Sequence, residues 1–313
     1  MFKFVGMYTS AMLKKLLIFS AVLFTLLSGR QAFAQGGGIT PRDLEKLQIM
    51  EDSMLVTADS MYEAFIPETH VAYSERFIRQ LLKTLKIPNS YQYPFDKLKD
   101  KISIIGPDDH SFRIFNWGVD MSAIFRRYYG AIQMPSEILK LYGLSDYSEQ
   151  LGKGAEDSIL TGGKWFGALY YRIMTNDLGN GRRVYTLFGF SSANALSNKK
   201  VMDPLTFDGN SIVFGAPIFG VGSKNFPGQR INRFVMEYKK GVTVGLNWND
   251  EKQMVVFDDL TSQVNDPNRK YTYVPSGQYN AFMWLNDMWT LRMNIMPIQE
   301  LQDGQAPTED DKK

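Results

Sequence analysis

The chain has 313 residues, 35 basic against 33 acidic, a formal net charge of +2, two histidines (His70 and His110) and no cysteine. The missing cysteine excludes disulfides, a thiolate nucleophile, cysteine-ligated zinc and iron–sulfur clusters. Two histidines cannot form a three-histidine zinc site, and a net charge near zero gives no general electrostatic pull toward nucleic acid.

The first 34 residues read as a secretory signal. Met12, Leu13, Lys14 and Lys15 precede an apolar run from Leu16 to Leu27, and Ala32-Phe33-Ala34 supplies the small residues of a cleavage site. The run is shorter than the ~20 residues of a membrane-spanning helix, so cleavage before Gln35 is expected to leave no transmembrane helix. A complete signal starts at Met12, which sets residues 1–11 apart as a possible upstream extension. The segment's charged residues are Lys3, Lys14, Lys15 and Arg30; removing these four leaves 31 basic against 33 acidic groups, a net of −2. No cysteine follows the apolar run to carry a lipid, and the lack of cysteine suits an oxidising compartment.

Residues 35–95 read as a helical hairpin. Thr40 is placed as N-cap, Pro41 as the first helical residue and Asp43 in the first turn. Leu47, Met50, Met54, Ala58, Met61 and Phe65 recur in steps of three and four, and Pro67 is expected to end the helix. A second helix is expected over Thr69–Lys86, stopped by Pro88, with Phe77, Ile78, Leu81, Leu82 and Leu85 on its apolar face.

Residues 96–298 read as an antiparallel β domain. Ile102 and Ile104 alternate, Phe112–Trp117 is an aromatic run, and 121–134 suits either period but is favoured as strand. A connector over 135–162 holds a possible short helix, Ser136–Tyr142. Trp165–Met174 and Val184–Phe190 flank a turn at Asp177–Gly181 and form a hairpin pattern. Phe234, Met236 and Tyr238 alternate before a turn at Lys239-Lys240-Gly241; Val242, Val244, Leu246 and Trp248 then alternate more cleanly than any other stretch. Strands are also expected at Met254–Phe257, Ala281–Leu285 and Trp289–Ile295, with residues 299–313 a polar, disordered tail. The fold class is therefore α+β: a helical hairpin followed by a sandwich or barrel-like meander, with a propeller as runner-up.

The residues offer few catalytic motifs. G-x-S-x-G, Walker A, H-E-x-x-H and EF-hand patterns are absent, and the Gly179-Asn180-Gly181 and Gly220-Val221-Gly222 pairs lack the third glycine of a dinucleotide loop. Basic pairs such as Arg126-Arg127 and Lys199-Lys200 do not form a patch, so no nucleic-acid partner is expected. No cofactor or metal is expected either. Three polar features remain. Asp108-Asp109-His110 is either an acid–base or metal loop or a plain turn. Asp258-Asp259 ends a strand, where neighbours point to opposite faces, so a hydrolytic pair would need a third carboxylate such as Asp203 or Asp208. Ser191–Pro204 reads as a long polar loop; its Asn194, Asn198, Lys199 and Asp203, with Asp258 and Asp259, are the candidate binding residues.

Several stretches carry a resemblance: Lys164–Tyr171, Tyr185–Phe190, Leu196–Val201, Phe214–Phe219 and Val256–Leu260. With these the chain resembles a group of exported proteins of unknown function from Bacteroidetes-type bacteria. The resemblance implies export, with a pyroglutamate at Gln35, and supplies no activity or site. The sequence shows no C-terminal sorting domain of the type IX secretion kind, so the periplasm is expected first and an extracellular location second. The function expected is a non-enzymatic envelope protein that binds a protein or glycan. The alternative is a hydrolase of envelope glycan or peptide working through Asp109, Asp258 or Asp259.

Overall fold

A computed structural model describes residues 37–179, 181–222 and 228–296. The expected signal, its cleavage site and the polar tail lie outside the described residues. Helix α1 (Pro41–Glu63) starts as its cap predicts: the Asp43 N–H donates to Thr40 Oγ1 at 3.1 Å, with Pro41 in the first turn. Leu47, Met54, Ala58 and Met61 are buried along one face. Phe65 lies beyond the helix end and is fully exposed. Helix α2 (Pro67–Leu85) begins at the proline expected only to end α1, because a ring-fixed φ with no N–H suits a first turn. His70 Nε2 meets the Ala64 carbonyl at 2.5 Å and ties the two helices at their turn.

The helices cover one face of the first sheet, made in chain order by β1 (Ser103–Ile105), β2 (Arg113–Ser122), β3 (Phe125–Gln133), β4 (Leu141–Asp146) and β5 (Lys164–Trp165). All its pairs are antiparallel except β4–β5. On β2, Phe115, Trp117 and Val119 pack with Phe77, Leu81 and Leu85, and the Phe77 and Trp117 rings meet edge to face at 5.0 Å. Ile114 faces the other way, which makes β2 a strand buried on both faces. The helix expected over Ser136–Tyr142 is absent. Leu141, Tyr142 and Leu144 instead belong to β4, where Leu144 is buried against the core; a helical turn, α3 (Ser148–Leu151), follows.

Eleven further strands follow: β6 (Leu169–Asp177), β7 (Arg183–Ser191), β8 (Ser197–Asp208), β9 (Ser211–Phe214), β10 (Phe219–Gly220), β11 (Arg230–Ile231), β12 (Phe234–Lys239), β13 (Leu246–Asn249), β14 (Met254–Ser262), β15 (Tyr273–Leu285) and β16 (Met288–Arg292). The second sheet runs β12-β8-β7-β6, and β9 pairs with the second half of β8 beyond β12. The third runs β11-β10-β16-β15-β14-β13. Tyr185, Leu187 and Val201 of the second sheet share a core with Ile114, Tyr128 and Ile132 of the first. Val184, Phe188 and Met202 share another with Leu246, Val255, Phe282 and Trp289 of the third. The order is thus helices, then three sheets face on face, an α+β fold with a mainly antiparallel β part.

Two sequence readings change here. The polar loop expected over Ser191–Pro204 shrinks to residues 192–196, because Ser197–Asp208 is β8, paired on both sides. The cleanly alternating Val242–Trp248 is a strand only from Leu246. Residues 242–245 carry the chain from β12 in the second sheet to β13 in the third, so the turn at Lys239-Lys240-Gly241 leads into a crossover between sheets. Val244 and Leu246 still share one core, which preserves their alternation without pairing β12 to β13.

Candidate functional site

The main cleft, about 520 Å³, runs between edge strand β12, the middle of β14 and β15, and the segment around Lys270–Thr272. Its lining brings together three of the six candidates, Lys199, Asp258 and Asp259. The two adjacent aspartates open on one cleft because regular pairing fails at that point. Asp258 faces Tyr279 but Leu260 faces Pro275, so Ser276, Gly277 and Gln278 together oppose Asp259. Gly277 sits at φ 87°, a value that a residue without Cβ adopts freely.

Each acceptor is held. Asp259 receives hydrogen bonds from Ser276 Oγ at 2.9 Å and Asn280 Nδ2 at 3.0 Å. The amide of Asn280 is fixed in turn, since its Oδ1 accepts from the Asn294 N–H at 3.0 Å. Asp258 Oδ2 accepts from the Gly245 N–H at 2.6 Å, a contact made by the crossover between sheets. Glu237 accepts from Ser197 Oγ and lies 3.8 Å from Lys199 Nζ. Glu156 reaches in from the connector. Burial pushes its carboxyl above the usual carboxylate range, against a pull downward from the Val235 N–H that it accepts. Tyr271 and Tyr273 add aromatic surface, with Lys270 Nζ 4.4 Å from the Tyr273 ring centre. Four carboxylates against two lysines make the lining net acidic.

The remaining candidates lie elsewhere. Asn194 caps the short loop: its Oδ1 accepts from the Leu196 and Ser197 N–H groups at 2.8 Å, and its side chain lines a smaller hollow that adjoins the cleft. Asn198 falls on the opposite side of β8 from Lys199, as alternation requires, and its buried Oδ1 has no hydrogen-bond partner. Asp203 has 0% exposure and is an interior acceptor for Arg233 Nε at 2.6 Å and the Tyr170 hydroxyl at 2.7 Å. It supplies no third carboxylate to Asp258 and Asp259.

Asp109 also stands apart. It accepts from the Ser111 N–H, the Tyr185 hydroxyl and Arg183 Nη1. Partial burial raises its carboxyl, but these donors outweigh that and bring it below the usual value. With His110 at φ 52° and its carbonyl taken by the Tyr91 hydroxyl, Asp108-Asp109-His110 is a braced turn. Among the described residues no group of three or more His, Asp and Glu side chains could hold a metal ion, and no helix is long and apolar enough to cross a membrane.

Sequence reasoning missed Glu156, Glu237, Tyr271, Tyr273 and Asn280. Tyr271-Thr272-Tyr273 before a strand is a visible alternating aromatic pair; Glu156 and Asn280 carry no local signal, since only the packing of distant segments brings them here. No protein-family model matches the chain, and no curated protein or solved structure matches it significantly.

Proposed function

We propose that this chain is an exported envelope protein, periplasmic in the first instance, that binds a glycan in the cleft beside β12. The observation that carries the reading is the joining of braced planar acceptors, Asp258, Asp259 and Asn280, to the rings of Tyr271 and Tyr273 in one open hollow. Planar carboxylates and amides suit the neighbouring hydroxyls of a sugar, and aromatic faces suit its C–H surface. Because each acceptor is already oriented, little ordering cost remains at binding. Export is supported by the Lys14-Lys15, apolar and Ala32-Phe33-Ala34 pattern and by the resemblance to exported proteins.

Two measurements test this. Protein recovered from the extracytoplasmic fraction of its host should begin at Gln35; retention in the cytoplasm with residue 12 intact overturns the export reading. On a glycan array the exported protein should retain a subset of glycans, and Tyr271→Ala should weaken that retention by about tenfold. An array on which no glycan is retained overturns the binding reading.

A second reading rests on Glu156. A carboxyl that burial shifts upward, in one cleft with two aspartates, is the kind of asymmetry that acid-assisted glycoside cleavage uses. Release of reducing ends from a retained glycan, lost in Glu156→Gln, would establish it. Intact glycan after long incubation leaves the protein a binder.

A further inference from the structure

The hollow that Asn194 lines, about 240 Å³, shares Lys199 and Gly152 with the main cleft. We propose that the two form one groove with two subsites, and that its ligand is a linear neutral or amine-bearing oligosaccharide lying across Lys199. This deepens the glycan-binding reading and rests on it.

Size is the first argument. A pocket that buries a drug-sized ligand measures roughly 300–1,000 Å³. The main cleft falls in that range and the second hollow falls below it. The second hollow is thus too small to act alone, but it can take the next unit of a chain already held next door. The chemistry is repeated as well. The second hollow offers aromatic surface from the half-buried Phe125, with the Asn194 side chain at its wall and the buried Phe166, Ser191 and Ser197 beneath. A repeating ligand is what a repeated pairing of aromatic surface with small polar groups would bind.

The divide between the subsites is also built. Lys199 projects from β8 between them, with its amine 3.8 Å from Glu237, which Ser197 Oγ braces at 2.5 Å. Both charged side chains keep some solvent exposure, 24% and 30%, so each has room to meet a hydroxyl on the linkage. Charge then narrows the class. The second hollow adds Glu149, which Arg127 offsets at 3.9 Å, so the excess rests on Glu156, Glu237, Asp258 and Asp259 against Lys199 and Lys270. An acidic sugar chain is repelled by that excess, a neutral one is accepted and one with free amines is favoured.

Calorimetric titration of the exported protein with three oligomer series tests the inference. The probes are N-acetylchitooligosaccharides (neutral), their deacetylated forms (cationic) and oligogalacturonates (acidic), each from two to six units. Within the neutral or cationic series, affinity should rise about tenfold or more from two units to four, because the second contact is made by a unit already tethered to the first, and then level off. Oligogalacturonates should bind weakest. Phe125→Ala should reduce the ratio of four-unit to two-unit affinity to about one. Tyr271→Ala should lower both affinities and leave their ratio standing, with thermal midpoints recorded to show that both variants fold. Affinity independent of length, or a ratio untouched by Phe125→Ala, overturns the two-subsite groove while leaving glycan binding in place. A preference for the acidic series overturns the charge argument, and absence of binding at every length overturns both readings.

Discussion

Arg233 has no exposed surface, and its guanidinium is paired with a carboxylate in the interior. Asp203 meets its Nε at 2.6 Å, while its Nη1 donates to the Ala155 carbonyl at 2.6 Å and the Ser158 carbonyl at 3.3 Å. One side chain thereby fastens the connector, the start of β12 and the middle of β8. Removing one partner of a buried pair strands the other charge, at a typical cost of about 3–5 kcal/mol. Arg233→Met should lower unfolding free energy by that order in a urea titration, and Arg233→Met with Asp203→Leu should recover part of it; a double variant as unstable as the single one would show that packing, not the stranded carboxylate, dominates. Glu156, one residue from Ala155, gives a pH signature. Burial holds its folded-state pKa above the unfolded value, so its contribution is full below the unfolded carboxylate range and is lost as pH rises through the folded value. The stability of wild type relative to Glu156→Gln should therefore fall as pH rises from the ordinary carboxylate value, about 4, into the range above it. A flat or rising difference in thermal midpoint across that range would contradict the assignment.

Elements with a strong local signal were legible in the sequence. The Thr40 cap, the spacing of Leu47, Met54, Ala58 and Met61, and the break between the Ala281–Leu285 and Trp289 strands are all set by neighbours in sequence, and Asn286 and Asp287 in that break have the positive φ that such turns need. What escaped was pairing choice. Val242–Trp248 alternates because Val244 and Leu246 enter one core, and alternation says nothing about which sheet a strand joins. Ser197–Pro204 is polar enough to read as loop, yet β8 is held by main-chain bonds on both edges, which side-chain polarity does not reveal. The candidate site was half legible for the same reason. Asp258 and Asp259 stand out as a pair, but the irregularity that turns both toward one cleft is made by β15, at Ser276–Gln278. Gly277 is the conformational requirement there. A residue with a Cβ forced to φ 87° costs on the order of 1–3 kcal/mol. Gly277→Val should show that loss in denaturant titration and should weaken ligand retention in the cleft; full stability in the variant would mean that β15 can repair its pairing without the glycine.

The molecule as a whole is a stack in which each of the first two sheets is packed on both faces along its central strands. The first is covered by helices on one side and by the second sheet on the other, and the second is covered in turn by the third. The join between second and third sheets includes a buried hydrogen bond from Trp289 Nε1 to Thr186 Oγ1 at 3.0 Å. This arrangement explains why β2 and β7 are buried along most of their length: alternation of buried and exposed positions marks a sheet with one wet face. It also assigns a role to the helical hairpin. None of the residues lining the two-part groove comes from α1 or α2, yet these helices cover Phe115, Trp117 and Val119. Burying such side chains contributes about 1.5–3 kcal/mol each, and uncovering them together would leave a contiguous apolar patch on an otherwise finished sheet. A chain lacking residues 37–95 should therefore elute as aggregate or oligomer in size-exclusion chromatography and bind a hydrophobic dye, while Trp117→Ala in the full chain should cost about 3–5 kcal/mol and remain monomeric. A truncated chain that elutes as a monomer with unchanged circular dichroism would show instead that the three sheets are sufficient alone, and that the hairpin's contacts with β2 would need another explanation than cover.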